Sequence, residues 1–420
     1  MAKIKNIYAR QVLNASAMPT IETTIVLDDG MIGVAAVPSG IATGSYEAYE
    51  LRDHDKEHYD GLGVLKAVQN ITDVIGPKII GMDVTKQQLI DRTMIELDGT
   101  QNKNRLGGNA ILSVSIAVAK AAAQTSRLPL YLYLRGLNAR SSAPLHIPTP
   151  LFTMVSGGAH ADNGLNFQEF LLTTAGSIPF SQALEWGVDV AQEMKHILRG
   201  NSFPTSVEND GGFSPKSANN SDALTLLMQA ITQSNLRLGL DLFLGINVAA
   251  NGFHTTGQYK IADKESQQST KDMVSYYETL LRNNAIIYLE DPFAENDWEG
   301  WQQMTTLLGT KSLIVGNDLT ATNIYRLQMV LDKRAANGIV IQPTQVGTVI
   351  ESLAVVEVAR AAGLKIIVAE RNHETNDDFI ADFAVAAGAD YCKFGGPFRG
   401  EHVVKYNKLL HIEEQIKKLK

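Results

Sequence analysis

The second half of the chain repeats one unit: a short apolar run that suits a β-strand, one or two polar residues at its end, then a helix-like segment. The clearest copy is Ile286 to Pro292, I-I-Y-L-E-D-P, where the apolar run stops at two carboxylates and a proline. Similar runs recur near Leu242, Leu313, Ile339, Ile366 and Tyr391, with helical stretches between them such as Lys271 to Arg282 and Thr348 to Ala361. Few folds take six such units, because parallel strands need a crossover helix each and are covered on both faces. Upstream, Pro150 to Val155 and Phe167 to Thr173 suit two more strands, followed by helical runs near Ser181 to Leu198 and Asp222 to Gln233. The pattern predicts an α/β fold: a modified (β/α)8 TIM-like barrel with ββαα(βα)6 order. An open doubly wound sheet fits less well, since no G-x-G-x-x-G opens a helix after a strand.

At 420 residues the chain exceeds what one hydrophobic core serves, so a second domain is expected ahead of the barrel. Residues 3 to 37 alternate as strands do, with Ile21, Thr23, Ile25 and Leu27 on one face and a D-D-G turn at Asp28 to Gly30. Pro38 to Ser45, P-S-G-I-A-T-G-S, is either a plain connection or a mobile lid. From Gly63 to about Thr125 the pattern is helical; Asp98 and Gly99 make a stop, and Asn109 to Ala123 is an alanine-rich buried helix. Residues 1–140 therefore read as an α+β domain and 141–420 as the barrel domain, with the proline-rich Ala143 to Pro150 at the boundary.

A net charge of -8 with no basic stripe before the last helix argues against nucleic-acid binding. No apolar run is long enough for a bilayer and no charged-then-apolar leader opens the chain, so a cytoplasmic protein without membrane contact is the expectation. Cys392 is the only cysteine, which excludes an intrachain disulfide and a cysteine-based metal site.

If the strands are parallel in one barrel, their polar ends meet at one mouth: Asn247, Glu290, Asp291, Asn317, Asp318, Gln342, Glu370, Arg371 and Lys393. Carboxylates on three successive strand ends would hold Mg2+, which prefers oxygen ligands in an octahedron. Here those positions read Asn247, Glu290 and Asn317, one formal charge where three are possible. At an effective dielectric near 20, each missing charge pair ~4 Å apart is worth roughly 4 kcal/mol before desolvation. Asp291 and Asp318 are adjacent in sequence, but successive strand residues face opposite ways.

Along nearly its whole length the chain resembles the enolase (phosphopyruvate hydratase) family. The matches include P-S-G-x-x-T-G-S-Y-E-A at Pro38 to Ala48, L-D-G-T at Leu97 to Thr100 and G-G-x-H-A-D-N at Gly157 to Asn163. Further ones are Q-E-F at Gln168 to Phe170, L-E-D at Leu289 to Asp291, R-x-x-E-T at Arg371 to Thr375 and V-x-K-Y-N at Val403 to Asn407. The resemblance implies a glycolytic lyase that removes the C2 proton of 2-phosphoglycerate with a lysine and forms an enolate on two magnesium ions. It also implies a glutamate that assists departure of hydroxide, and a homodimer or larger ring.

Carried over residue by residue, the resemblance places Gln342 where the lysine base stands, and an amide is no base near neutral pH. The assisting glutamate falls on Asp210 in V-E-N-D-G-G, and the first metal's ligands fall on Asn247, Glu290 and Asn317. The lid serine of the second metal falls on Ala42; the histidine and serine beside the phosphate-binding arginine fall on Glu370 and Asn372. Glu370 is expected to repel a phosphate, with Arg371 beside it as its neutraliser. His160, Gln168, Glu169, Glu290, Arg371 and Lys393 match the family, with simpler roles open to them: Glu290 and Lys393 as an ion pair, His160 as a loop fastener.

The expectation is an enolase-like fold whose 2-phosphoglycerate chemistry is lost or severely impaired, with Mg2+ held weakly or not at all. One alternative is a non-catalytic paralogue acting through its oligomer surface, alone or joined with an active enolase. Another is an enzyme for a less anionic small molecule, using Lys393, Glu169 and Asp210 for proton transfer; a depressed Lys393 would mark it.

Overall fold

The structure, a computed structural model, describes residues 2–40, 44–137, 145–216 and 219–419. Strands β1 (Ile4–Leu13), β2 (Pro19–Leu27) and β3 (Ile32–Ala36) form an antiparallel sheet with β2 central. Its buried face carries Ile21, Thr23, Ile25 and Leu27, as their period of two requires. Behind the sheet lie helices α1 (Gln87–Asp98) and α2 (Gly108–Thr125). Helix α1 stops at Gly99, whose φ of 70° suits a residue without a β-carbon. The alanines of α2 let β3 approach backbone to backbone: a Cβ at Gly33 would lie 2.1 Å from the Ala117 carbonyl oxygen.

Eight strands then close a barrel in chain order: β4 (Thr149–Ser156), β5 (Glu169–Thr174), β6 (Leu242–Asn247), β7 (Ile286–Glu290), β8 (Leu313–Gly316), β9 (Gly338–Ile341), β10 (Lys365–Ala369) and β11 (Tyr391–Lys393). Strand β5 runs antiparallel to both neighbours, and the other adjacent pairs are parallel. Two helices follow β5, α3 (Phe180–Gly200) and α4 (Asn220–Gln233). Every later strand is then followed by a helix: α5 (Thr270–Asn283), α6 (Trp298–Leu308), α7 (Ile324–Lys333), α8 (Val349–Ala361), the shorter Phe379–Ala387 and α9 (Gly400–Leu419); of these α8, behind β9, and α9, the last, matter to the mouth. The ββαα(βα)6 order is the one the sequence pattern predicts.

Alternation along the strands sorts side chains into two cores. Leu151, Leu171, Tyr288, Val315, Val340 and Ile367 fill the barrel, while Leu289, Ile314, Ile339 and Ile366 meet the helices. Glu290, two residues beyond Tyr288, therefore stands on the interior face at the mouth.

The N-terminal unit is fastened to this same end. The Ala15 N–H donates to the Glu374 carbonyl at 2.8 Å and the Ser39 N–H to that of His373 at 3.2 Å. Lys120 pairs with Asp377 at 2.7 Å and Lys103 with Glu351 at 2.9 Å. Buried Asp91 accepts from the Ser115 hydroxyl at 3.0 Å and from the Ile350 N–H, in the first turn of α8, at 3.2 Å. Among the described residues no helix is long and apolar enough to cross a membrane.

Candidate active site

The parallel strands deliver their C-terminal ends to the mouth, and the inverted β5 delivers its first residue, Glu169. Glu169 stands opposite Asn247 in the β5–β6 register, and Asn247 stands opposite Glu290 in the next pair. Lys393, the last residue of β11, reaches across the ring into this group. Its Nζ lies 2.6 Å from Glu169 Oε2 and 3.0 Å from each Glu290 oxygen. The Asn247 amide donates to Glu169 Oε2 at 2.7 Å, and the Asn317 amide to Glu290 Oε1 at 3.0 Å. Below them the Tyr288 hydroxyl donates to Glu290 Oε2 at 2.5 Å.

Both carboxylates are thus surrounded by donors. Burial pushes the Glu169 carboxyl up, but Lys393 and then His160 outweigh it and hold it at about 2. Burial also raises Glu290, and there the attraction of Lys393 does not overcome it, since Glu169 adds repulsion. Burial works to lower Lys393, yet its two carboxylates raise it above the usual lysine range. An ammonium held this firmly is no proton acceptor, so the depressed lysine that would mark a Lys393-based proton transfer is not found.

Gln342 follows β9, and its amide donates to the Glu370 carbonyl at 2.5 Å while its oxygen accepts from Arg371 at 3.3 Å. Arg371 forks onto Glu47 of the N-terminal unit at 2.8 and 3.1 Å. Gly40 lies against this guanidinium, where a Cβ would come within 2.9 Å of its nitrogens. Gln345 completes the wall, donating to Asn317 Oδ1 at 3.0 Å and to Glu47 at 3.3 Å. The Asn317 amide is therefore oriented from both sides: oxygen toward Gln345, nitrogen toward Glu290.

Two sequence expectations are corrected here. Arg371 does not neutralise Glu370; it pairs with Glu47 of the N-terminal unit. Glu370 turns to the last helix, where it pairs with His402 and, at 3.0 Å, with Lys405. Burial would raise the Glu370 carboxyl, but His402 and Lys405 bring it below its ordinary value. Its charge is matched behind the mouth, so the phosphate repulsion expected of it has no unpaired carboxylate to act through.

On the far side, Asp210 Oδ1 accepts from the Ser156 hydroxyl at 2.5 Å and the Gly212 N–H at 3.1 Å. Asp210 Oδ2 lies 2.7 Å from His160 Nδ1, and His160 Nε2 lies 2.8 Å from the amide of exposed Asn372. Burial lowers the His160 imidazole, but its hydrogen bond and attraction to Asp210 leave it raised. Gln168 is half-buried, and its backbone N–H donates to the Asn247 carbonyl at 3.0 Å. Asp291 has a φ of 43°, and its carboxylate accepts from the Asn317 and Asp318 N–H groups, both at 2.9 Å. It serves the turn after β8 and does not replace Asn317. Ala42 lies outside the described residues.

Two family models cover the chain: the enolase N-terminal domain matches residues 4–134, and the enolase C-terminal TIM barrel domain matches 144–419. The enolase of Acidothermus cellulolyticus is 44% identical over 417 residues, covering 99% of this chain and 95% of that protein. The enolase of Kineococcus radiotolerans is 43% identical over 416 residues, with the same coverage. The chain belongs to the enolase family.

Enolases normally use Mg2+. The mouth also draws on residues that the sequence motifs leave in the background. Tyr288 shares the interior face with Glu290 at a spacing of two, a period the sequence does show. His402 and Lys405 are three apart on α9, and Lys405 lies inside the V-x-K-Y-N match. Glu47 lies inside the lid match, but its pairing with Arg371 spans the two domains and has no local signal.

Proposed function

We propose that this enolase-family chain has lost, or very nearly lost, the magnesium-dependent dehydration of 2-phosphoglycerate while keeping the fold. One observation carries the reading: Lys393 occupies the centre of the carboxylate cluster, and Asn247 and Asn317 turn N–H groups to the same carboxylates. A magnesium ion needs lone pairs in those directions. The residues present do not fit it: Glu290 already accepts from Lys393, Tyr288 and Asn317, and the Asn317 oxygen accepts from Gln345. Gln342 stands at the position of the family's base, hydrogen-bonded through both ends of an amide that takes no proton near neutral pH.

The test is phosphoenolpyruvate appearance, followed by ultraviolet absorbance, from 2-phosphoglycerate and Mg2+. The Gln342→Lys, Asn247→Asp, Asn317→Asp triple variant runs beside the parent. Silence from the parent with turnover in the variant supports the reading; magnesium-dependent turnover by the parent sinks it.

A role through assembly is the second reading, favoured by the outer face of the N-terminal sheet. Tyr8, Ile32 and Val34 there are 57%, 45% and 41% exposed, more apolar surface than a solvated sheet requires. A homodimer or larger ring, or a mixed oligomer with an active enolase, would cover it. Sedimentation of the chain alone and mixed with an active enolase decides this, and a monomer in both settings refutes it.

A further inference from the structure

We propose that Asp91 is a proton-operated latch between the two domains, holding the N-terminal unit on the barrel when protonated and loosening it as the pH rises. Asp91 stands on α1 and caps a helix of the other domain. Its Oδ2 accepts from the Ile350 N–H of α8 at 3.2 Å and from the Ser115 hydroxyl of α2 at 3.0 Å. The same Ser115 oxygen accepts from the Val349 N–H at 3.0 Å. Two of the N–H groups that open α8 are thus satisfied from the N-terminal unit, while the hydroxyl of its own cap, Thr348, takes that of Glu351.

The carboxyl is fully buried, and among the described residues no ion pair reaches it. On α8 the group facing it is Glu351, a like charge, which Lys103 pairs at 2.9 Å. Tyr133 faces it from the helix Leu130–Leu137, its phenol pushed up by burial and then by Asp91. The cations of α1 and α2 are engaged elsewhere, Arg92 with Glu96 and Lys120 with Asp377. A buried carboxylate without a counter-charge is relieved by taking a proton or by returning to water. Burial outweighs the donors from Ser115, Ile350 and Gln87 and pushes Asp91 up to about 7. The network has a place for the proton. Asp91 Oδ1 accepts from Gln87 Nε2 at 3.0 Å, and Gln87 Oε1 is a buried acceptor with no hydrogen-bond partner among the described residues. A half-turn of that amide sets its oxygen toward a proton on Oδ1. Opening the seam returns Asp91 to its ordinary 3.8, so docking is strongest below that value, weakens as the pH rises to about 7 and levels off above. The N-terminal unit also brings Glu47 to Arg371, so a looser latch frees one wall of the mouth. The latch holds whether or not 2-phosphoglycerate turnover is lost.

Ala15 and Ala48 donate their N–H groups across the same seam, to the Glu374 and Gln345 carbonyls, both at 2.8 Å. Together with Ile350 they report docking, because fraying of α8 alone would expose Ile350 and leave the other two protected. Native-state hydrogen exchange of the full chain is read residue by residue by mass spectrometry from pH 5 to 8, with intrinsic rates divided out. Protection of all three amides should fall in parallel by about 50-fold between pH 5 and 7 and level off above. Asp91→Asn, which carries its hydrogens at every pH, should remove that dependence. Glu374, pushed up to about 7 by burial, is the rival source, and it would keep the profile in Asp91→Asn. Should Asp91→Asn not fold, a 13C titration of the Asp91 carboxyl in the parent decides, with a midpoint near 7 expected. A flat profile in the parent, a profile that survives Asp91→Asn, a response at Ile350 alone, or an Asp91 midpoint at its ordinary value overturns the proposal.

Discussion

Replacing Lys393 by methionine removes the ammonium that Glu169 and Glu290 share and leaves their carboxylates at 5% and 0% exposure. Breaking a buried ion pair from one side costs about 3–5 kcal/mol, because the partner stays charged and dry. With an unfolding entropy of about 2.1 cal/mol/K per residue, a domain spanning 144–419 loses about 1.7 °C per kcal/mol. The expected fall in Tm near neutral pH is therefore about 5–9 °C by calorimetry. The pH dependence fixes the cause. In the parent, burial raises Glu169, but Lys393 and His160 hold it at about 2, below its unfolded value. Its stabilisation is thus present above the unfolded carboxylate pKa and is lost as pH falls through about 2. Without Lys393 burial prevails, the folded pKa rises, and the variant's deficit narrows as the pH falls from neutral toward about 5. Adding Glu169→Gln and Glu290→Gln to the variant should recover most of the loss. A Tm unchanged at neutral pH, or a deficit that widens on acidification, refutes the reasoning.

Three other perturbations have definite outcomes. Gly33→Ala would drive a Cβ into the Ala117 carbonyl and should cost more than about 3 kcal/mol, seen as a lower urea midpoint. Glu47→Gln removes the carboxylate that Arg371 forks onto, so it should both destabilise the chain by about 3 kcal/mol and raise its affinity for inorganic phosphate, measured by calorimetry. Asn247→Asp with Asn317→Asp restores two charges beside Glu290 and should bring measurable Mg2+ binding, stronger again when Lys393→Met is added.

Much of the architecture was legible because it depends on local periodicity. The strand at Ile286 alternates between barrel and helices, so Tyr288 and Glu290 fall on one face without tertiary knowledge. The Glu290–Lys393 ion pair was legible too, since strand ends in a closed barrel converge. The fate of Glu370 was not. It depends on two side chains of α9, some thirty residues downstream, whose orientation no local pattern records. Arg371 defeats the same logic, because its partner Glu47 sits in the other domain. The amide directions of Asn247 and Asn317 needed the whole network, since each is set by neighbours from different strands.

The last helix has a consequence for the order in which the molecule is made. Lys405 ties down Glu370 and Glu374, and the Glu374 carbonyl receives the Ala15 N–H, so both sides of the Arg371 loop rest on α9 or on what it holds. The ring itself closes only when β11 pairs with β4, joining Tyr391 to Thr149. Contacts so distant along the chain form late. During synthesis the N-terminal unit and most barrel strands emerge before the segment that shapes the mouth does. Loss of the final residues would thus leave a largely formed scaffold with an unfinished centre.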